Sequence, residues 1–316
     1  MAEGQSVLEG LECAGVSVPN SCRSGVCQSY LMKASSGAIP AVAQKGLKDS
    51  LKARQYFLAC VCRPTEDMVI HPAEHAAQRA RAIVRVIEKL SPDVARVLLA
   101  YERPFEYFPG QFVNLVRGDG LTRSYSLANV RAVEGADEDL LELHVRKVAD
   151  GQMSTWLHEE AKPGDSIDLR GPQGDCFYTA GQPDQPILLA GTGTGLAPLY
   201  AIARDALQQG HTGPIHLYHG ARDSGGFYLV NELLKLAERH PNFSYLRCLV
   251  AGEEEPGVKV GALNKIVLGD LPKLTGWRVF LCGNPELVNL LRKAVFLAGA
   301  NMKEIYSDAF VMRTPA

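Results

Sequence analysis

The stretch "LLAGTGTGLAP" (Leu188–Pro198) sets three alternating glycines between an apolar run and a helical pattern that ends at Gly210. The apolar run predicts a buried strand, so the glycines stand at a strand-to-helix junction. Glycines there let the backbone approach a pyrophosphate closely, and the helix N-terminus presents free N–H groups and a partial positive charge. The stretch differs from the dinucleotide fingerprint G-x-G-x-x-G because residue 196 is Leu. By itself it is compatible with a nucleotide loop or with a plain turn.

The alternation of strand and helix continues on both sides of this loop. Compact apolar runs, typical of strands covered on both faces, are separated by helical patterns: "PILLAG", "PIHLYHGA", "FSYLRCLV" and "WRVFLCG". Residues 181–316 are therefore predicted to form a doubly wound parallel α/β domain. Ligands bind such sheets at the carboxyl ends of the strands, where "AGTGTG" and "CGNPE" (Cys282–Glu286) both fall.

In residues 79–180 the hydrophobic pattern has a different period. Short segments that alternate apolar and polar residues are separated by turn clusters such as "RGDG" and "KPGD". They predict a small antiparallel barrel, which we take to be six-stranded. One helical insert, "MSTWLHEEA" (153–161), interrupts the strands, with Ser154 as its predicted N-cap.

Composition narrows the classes of function. The 316 residues carry 33 basic and 35 acidic side chains, so the formal net charge of −2 offers no polycationic surface for nucleic acid or membrane. The longest uncharged run, Gln185–Ala203, contains two prolines and reads as a strand followed by a helix, not as a membrane span. Nothing at the N-terminus resembles a secretory signal, and we expect a cytoplasmic protein.

Four of the eight cysteines form two close pairs, Cys22/Cys27 and Cys60/Cys62. In a reducing compartment such grouping favours metal ligation or reactive thiols over disulfides. Cys282 lies in the predicted ligand cleft, where it is either a contact to a reacting ring or a plain packing thiol.

Six motifs in order carry a resemblance that spans roughly residues 79–310. They are "PGQF" (109–112), "RSYS" (123–126), "GQMS" (151–154), "GTGTGLAP" (191–198), "CGNPE" (282–286) and "YSDAF" (306–310). Together they resemble the ferredoxin–NADP reductase superfamily. The resemblance implies a flavin in the barrel, a nicotinamide dinucleotide on the parallel sheet, and hydride transfer between the two rings.

The implied flavin site centres on "RSYS". Arg123 offers a rigid fork of donors for a phosphate, Tyr125 a flat ring and a hydroxyl, and Ser126 a hydroxyl for the edge of the isoalloxazine. Ser154 and the N–H groups around it are implied to hold the pyrophosphate. Further flavin contacts implied by the resemblance are Ser124, His144, Val145, Arg146, Gly151, Met153, Asp308 and Phe310.

The implied nicotinamide site lies between the two loops of the parallel sheet. Cys282 and Phe310 are implied to lie at the reacting rings and are the predicted catalytic residues. We favour NADH as the dinucleotide and leave NADPH open. Asp223 stands beside Arg222, and its carboxylate would repel the 2′-phosphate of NADPH. The other implied contacts are Gly191, Thr192, Gly193, Thr194, Gly195, Gly283, Asn284, Pro285 and Glu286.

Residues 1–72 resemble a plant-type 2Fe-2S ferredoxin fused to the reductase, as in the reductase components of bacterial oxygenases. The expected C-x4-C-x2-C spacing with a distant fourth cysteine gives Cys22, Cys27 and Cys60 as ligands, but Tyr30 takes the third position. Cys62 would share the face of Cys60 on an extended strand and is a possible substitute. The predicted helix "SVLEGLECAGV" opens with Ser6 and Glu9 in capping-box spacing, and the β-hairpin that normally precedes it is not seen.

The sequence thus predicts a truncated ferredoxin-like (ubiquitin-like) α+β domain, a flavin barrel and a nucleotide domain. An N-terminal iron–sulfur domain accompanies FAD rather than FMN in this superfamily. We expect an NAD(P)H-dependent flavoprotein reductase whose electrons pass through FAD, and through a 2Fe-2S cluster if one is assembled, to an oxygenase or other protein acceptor. Two alternatives are a cluster-less flavin or acceptor reductase and a non-catalytic nucleotide-binding docking protein.

Overall fold

The computed structural model describes residues 4–16, 30–72, 78–101, 105–130 and 140–310. The chain divides into two compact units, Met1–Ala77 and Gln78–Ala316, and each is treated by itself below. Within the described ranges no helix is long and apolar enough to cross a membrane.

The N-terminal unit is a small α+β fold. Its three-stranded antiparallel sheet has the order β2-β1-β3. Its elements are α1 (Val7–Cys13), β1 (Leu31–Ser36), α2 (Asp49–Ala53), β2 (Tyr56–Leu58) and β3 (Val69–Pro72). Helix α1 begins as predicted, because the Ser6 hydroxyl accepts a hydrogen bond from the Glu9 N–H and the Glu9 carboxylate accepts one from the Ser6 N–H.

The core of this unit contains the residue that replaces the third cluster cysteine. Tyr30 is only 4 % exposed and lies in one apolar cluster with Val7, Leu8, Phe57 and Leu58. Its carbonyl accepts a hydrogen bond from the Ala59 N–H, which anchors the start of β1 to the end of β2. The Tyr30 ring is therefore part of the packing that stabilises the unit.

The second unit begins with a six-stranded antiparallel barrel, as predicted. The strand order is β7-β6-β9-β4-β5-β8, and a bridge between Leu127 and Leu143 closes β7 onto β8. Alternate residues of these strands fill the interior, among them Val97, Leu99 and Leu115. The strands are β4 (Gln78–Lys89), β5 (Val94–Tyr101), β6 (Phe112–Val116), β7 (Thr122–Ser126), β8 (Leu140–Arg146) and β9 (Ser166–Gln173).

The helical insert between β8 and β9 begins earlier than predicted. Helix α3 (Gln152–Thr155) continues as one π-helical turn, Trp156–Glu160, and its N-cap is Gly151. The prediction of Ser154 as N-cap is wrong, because the Ser154 hydroxyl lies inside the first turn, where it donates to the Gly151 carbonyl and accepts from the Val148 N–H. Gly151 caps α3 without a side-chain hydrogen bond.

The nucleotide domain is a six-stranded parallel sheet covered on both faces, which confirms the doubly wound α/β class. The order is β13-β12-β11-β10-β14-β15. Helices α4 and α5 pack on one face and α6 and α7 on the other. The elements are β10 (Ile187–Thr192), α4 (Leu196–Gln208), β11 (Ile215–Ala221), α5 (Val230–Arg239), β12 (Phe243–Leu249), β13 (Val258–Val260), α6 (Leu263–Asp270), β14 (Arg278–Gly283), α7 (Pro285–Leu297) and β15 (Ile305–Ala309).

The barrel and the nucleotide sheet share packing within the second unit. Val94 of β5, and Cys176 and Tyr178 after β9, belong to the same apolar cluster as Leu189 of β10 and Leu199 of α4. One end of the barrel therefore lies against α4, and this junction holds the candidate site.

Candidate active site

A hydrogen bond joins the flavin motif of the barrel to the last strand of the nucleotide sheet. The hydroxyl of Ser126, the final residue of β7, donates to the Asp308 carboxylate over 3.2 Å. Asp308 lies on β15 directly opposite Cys282 of β14. The "RSYS", "CGNPE" and "YSDAF" motifs, separated by up to 182 residues in sequence, are thereby brought to one place.

The electrostatics of this junction raise the proton affinity of the Asp308 carboxyl. Burial, together with the negative charge of Asp175, raises the pKa of Asp308 from the ordinary 3.8 to about 6, against the lowering effect of the Ser126 hydrogen bond. Asp308 can therefore hold a proton at mildly acid pH within hydrogen-bonding reach of the Ser126 hydroxyl.

The two predicted catalytic residues flank Gly283. The Phe310 N–H donates to the Gly283 carbonyl over 2.8 Å, so the half-buried Phe310 is held at the end of β14. The Cys282 side chain is 1 % exposed and lies in an apolar cluster with Cys176, and the two neighbouring thiols interact, which together with burial raises the pKa of Cys176. This burial supports the packing interpretation of Cys282, and its contact with a reacting ring stays a prediction.

The side chains of "RSYS" go from exposed to buried along β7. Arg123 is exposed, and its guanidinium donates to the Thr122 carbonyl over 2.8 Å. The Ser124 hydroxyl donates to the Asn114 amide oxygen on the paired strand β6 over 2.6 Å. Tyr125 is half-buried against the barrel core, and burial raises the pKa of its phenol, so it is neutral. An exposed guanidinium and a neutral phenol next to Ser126 fit a phosphorylated ring cofactor.

The Met153 and Ser154 side chains of the "GQMS" segment are buried. Ser154 is 5 % exposed and its hydroxyl is engaged within its own turn, and Met153 lies in the barrel core. A Cβ at Gly151 would lie 2.5 Å from the Ser154 hydroxyl oxygen, so a larger residue here would displace that hydroxyl from its hydrogen bonds. Contact of Ser154 and of the N–H groups around it with a pyrophosphate stays a prediction.

Strand β8 presents its outer face to the nucleotide domain. Val145 points into the barrel core, but His144 packs between Tyr228 and Tyr200, and Arg146 pairs with Asp93 at 3.0 Å. The ring of His144 is buried at the junction of the two domains. That His144, Val145 and Arg146 line the ribityl and phosphate side of a flavin stays a prediction.

Arg146 stands beside the glycine loop. Its guanidinium lies 3.4 Å from the position that a Cβ of Gly193 would take. A cation at this loop suits an anionic cofactor. The sequence reveals a possible flavin contact at Arg146, but not its approach to the loop of the neighbouring domain.

Two of the loop glycines are needed for packing. A Cβ at Gly191 would lie 2.7 Å, and one at Gly195 2.3 Å, from the Cys282 carbonyl oxygen. Only Gly193, with φ +55°, has open space on its Cβ side apart from Arg146. Thr192 ends β10 and Thr194 lies in the 3₁₀ turn between β10 and α4. The loop is thus pressed onto the end of β14, with Gly193 on its open side.

The "CGNPE" loop owes part of its sequence to helix capping. The Asn284 amide oxygen accepts hydrogen bonds from the N–H groups of Glu286 and Leu287, and Pro285 is the first residue of α7. Glu286 is exposed in the first turn of α7. These local roles account for the residue types, and contact with a cofactor stays a prediction.

The cysteine region corrects one prediction and leaves another open. Residues 59–61 form a turn rather than an extended strand, so Cys60 and Cys62 do not share a strand face. Cys62 is fully buried beside α1, and burial raises the pKa of its thiol to about 11. Cys22 and Cys27 lie outside the described residues. Among those that are described, no group of three or more possible metal ligands occurs.

The raised pKa of Asp308 predicts a pH effect on stability. Between pH 4 and 6 the folded protein binds more protons at Asp308 than the unfolded chain does, so stability falls as the pH rises through this window. The unfolding free energy of wild type relative to Asp308→Asn should drop by about 2–3 kcal/mol from pH 4 to 7. Both tryptophans, Trp156 and Trp277, lie in the second unit, so their fluorescence in urea measures it. A pH-independent difference would contradict the assignment.

Three family models match the chain in sequence order. They are a 2Fe-2S iron-sulfur cluster binding domain over residues 1–65, an oxidoreductase FAD-binding domain over 81–178 and an oxidoreductase NAD-binding domain over 189–293. The three matches follow the same order as the N-terminal unit, the barrel and the parallel sheet.

Relatives of full length are similar to the chain. The reductase component of the naphthalene 1,2-dioxygenase system of Pseudomonas putida is 33 % identical over 97 % of this chain and 94 % of its own length. The reductase subunit of an aromatic O-demethylase of Amycolatopsis is 34 % identical over 99 % and 95 %.

Solved structures agree. A cytochrome P450 reductase of Amycolatopsis superposes with a TM-score of 0.68 at 32 % identity, covering 98 % of this chain and 95 % of the other. A ferredoxin reductase of carbazole 1,9a-dioxygenase, with a TM-score of 0.67, 24 % identity and coverage of 98 % and 94 %, shares the fold. The chain therefore belongs to the family of ferredoxin–NAD(P)(+) reductase components, oxidoreductases that join a 2Fe-2S domain to FAD- and NAD-binding domains.

Proposed function

We propose that the protein oxidises NADH at an FAD held by the barrel and passes the electrons to a protein acceptor of an oxygenase system. The observation that carries the proposal is the hydrogen bond between Ser126 and Asp308, because it joins the flavin motif to the carboxyl edge of the nucleotide sheet. A hydride acceptor and a hydride donor bound at these two motifs would meet at that junction.

The residues around the junction fit an FAD. The exposed Arg123 guanidinium can pair with a phosphate, the N–H groups at the start of α3 can hold the pyrophosphate, and Tyr125 can cover the ring. Ser126 supplies a hydroxyl and Asp308 a carboxyl at this junction. These two groups can hold or transfer a proton beside the flavin. FAD, when bound, supplies the step from two-electron hydride chemistry to single electrons.

The nicotinamide dinucleotide is assigned to the carboxyl edge of β10 and β14. The glycine loop and the N-terminus of α4 offer N–H groups to its pyrophosphate, and Arg146 stands on the open side of Gly193. Phe310, held by Gly283, closes the site on the side of β15.

The acceptor is proposed from the relatives. Several of them are named as reductase components of dioxygenases or of a phenol 2-monooxygenase. We assign this chain an acceptor of that class, an oxygenase or its ferredoxin, reached through a 2Fe-2S cluster if one is assembled. A cytoplasmic location and the absence of nucleic-acid and membrane partners stay predictions.

A cluster-less reductase is the second candidate, and Tyr30 favours it. The residue at the third ligand position is a buried ring of the core, and a phenol is a poor ligand at neutral pH. Such a protein would reduce free flavin or small acceptors without the N-terminal relay.

Reconstitution with FAD tests the proposed function. The protein should bind FAD with the visible spectrum of a flavoprotein and oxidise NADH with ferricyanide as acceptor. Arg123→Ala should weaken FAD binding about tenfold or more, because a charge-assisted hydrogen bond to phosphate is lost. Arg81→Ala, which removes an exposed arginine bonded to Ser166 on another part of the barrel, is the control. Failure of the wild type to bind FAD or to oxidise NADH and NADPH would contradict the proposal.

Cofactor preference is predicted from Asp223. This exposed carboxylate follows β11 beside Arg222, where the 2′-phosphate of NADPH would lie. Asp223→Ser should raise kcat/KM for NADPH about tenfold while kcat/KM for NADH changes little, because one repulsive charge is removed. Glu238→Ser, at the far end of α5, should leave both values unchanged. A wild type that prefers NADPH would refute the role of Asp223.

Iron content separates the two candidates. Stoichiometric iron and sulfide in the wild type would support the cluster relay, and flavin without iron would support the cluster-less reductase. We expect Tyr30→Cys to hold more iron than wild type and than Tyr30→Ser, which creates a similar cavity without a thiolate. Both variants lose a buried ring and should cost about 3 kcal/mol of stability, so they are compared at low temperature. Equal iron in Tyr30→Cys and Tyr30→Ser would show that the missing thiolate is not the obstacle.

A further inference from the structure

A buried tyrosine–histidine pair connects the nucleotide domain to the barrel. The Tyr228 hydroxyl lies 3.3 Å from Nδ1 of His144, and the two rings meet edge to face with centroids 5.2 Å apart. Tyr228 is 2 % exposed and the His144 side chain is fully buried. A pair so placed is protected from water and has one geometry in which both polar atoms are satisfied.

The barrel fixes the orientation of His144. Nε2 of His144 lies 2.9 Å from the Glu142 carboxylate, which also accepts a hydrogen bond from Arg96 at 2.9 Å. Burial lowers the pKa of His144, so the ring is neutral. Burial acts to raise the pKa of Glu142, but the hydrogen bond from His144 and the charges of Arg96 and Arg204 bring it below its ordinary value. Nε2–H therefore donates to the carboxylate, and Nδ1 accepts from the Tyr228 hydroxyl.

Tyr228 belongs to the segment that the proposed function gives to the ribose end of the nucleotide. Residues 222–229 link β11 to α5 and contain Arg222 and Asp223. Leu229, next to Tyr228, has a left-handed backbone with φ 55°, and the Gly226 N–H donates to the Asp223 carbonyl. The position of Asp223 is thus connected to Tyr228 through one tight turn.

We propose that Tyr228, His144 and Glu142 are positioning residues for the dinucleotide: they hold the segment 222–229 against β8 so that its ribose-binding groups face the nucleotide. The inference rests on the proposed function, since that function assigns the segment its ligand. The hydrogen bond fixes a distance between the flavin barrel and the nucleotide-selecting turn, and its loss loosens the turn without touching the flavin motifs.

Tyr228→Phe is the test, because it removes one hydroxyl and keeps the ring contacts. The holoprotein variant should show a KM for NADH and a Kd for NAD⁺ raised about three- to tenfold, with kcat and the flavin spectrum unchanged. Amide hydrogen exchange in peptides covering residues 222–229 should be faster than in wild type, and this readout needs no turnover.

Tyr178→Phe is the matched control. The Tyr178 hydroxyl lies 3.2 Å from Nδ1 of His211 and the two rings meet edge to face, so the variant loses a buried tyrosine–histidine bond outside the segment 222–229. It should leave KM, Kd and exchange in 222–229 as in wild type. A double variant with His144→Phe should add no further increase to that of Tyr228→Phe, because both changes remove the same bond.

An unchanged KM and unchanged exchange in Tyr228→Phe would overturn the inference, as would equal effects in Tyr178→Phe. These outcomes are distinct from a failure of the proposed function. That function fails if the wild type neither binds FAD nor oxidises NADH, whereas the inference fails on a comparison among variants that do.

Discussion

The rest of the second unit depends on the close contact between the glycine loop and the end of β14. A Cβ at Gly195 would lie only 2.3 Å from the Cys282 carbonyl oxygen, so no other residue fits without moving backbone. This contact sets the glycine loop and Gly283 side by side at the carboxyl edge of the sheet. Gly283 in turn binds Phe310, and Asp308 of the same strand reaches Ser126 of the barrel. The glycines thereby position the strand that completes the junction, besides leaving room for a nucleotide at Gly193.

The architecture could be predicted from the sequence because each domain repeats its own hydrophobic period. The six ordered motifs also predict the cofactors. The capping box of Ser6 and Glu9 is present as predicted. The directions and partners of side chains are less predictable from the sequence than the architecture is. A period of two gives the face of β8 but not its partner, so the sequence does not predict that His144 packs on Tyr228. Likewise, "GQMS" shows a helix start, but only the structure shows that Ser154 closes its own turn.

Some elements were missed for local reasons. Strand β15 has only two buried residues in five, so its sequence lacks a strong apolar pattern. Helix α6 follows a strand of only three residues, and the sequence around it lacks such a pattern too. The turn at residues 59–61 contradicts the prediction that Cys62 shares the face of Cys60 on an extended strand, because the spacing of two cysteines does not give the backbone conformation between them. Tyr30 was recognised as a missing ligand, but its place in the core became visible only once β1 and β2 were paired.

The central claim is that electrons enter at the junction of Ser126 and Asp308. The most direct test is the rate at which NADH bleaches protein-bound FAD in an anaerobic single turnover, compared between wild type and Ser126→Ala at equal FAD occupancy. The rate should fall about tenfold to a hundredfold in Ser126→Ala, because the lost hydroxyl contacts Asp308 and is the group that we propose to hold the ring edge. Ser166→Ala, an exposed serine of β9, serves as the control. A bleaching rate in Ser126→Ala equal to that of wild type would contradict the claim.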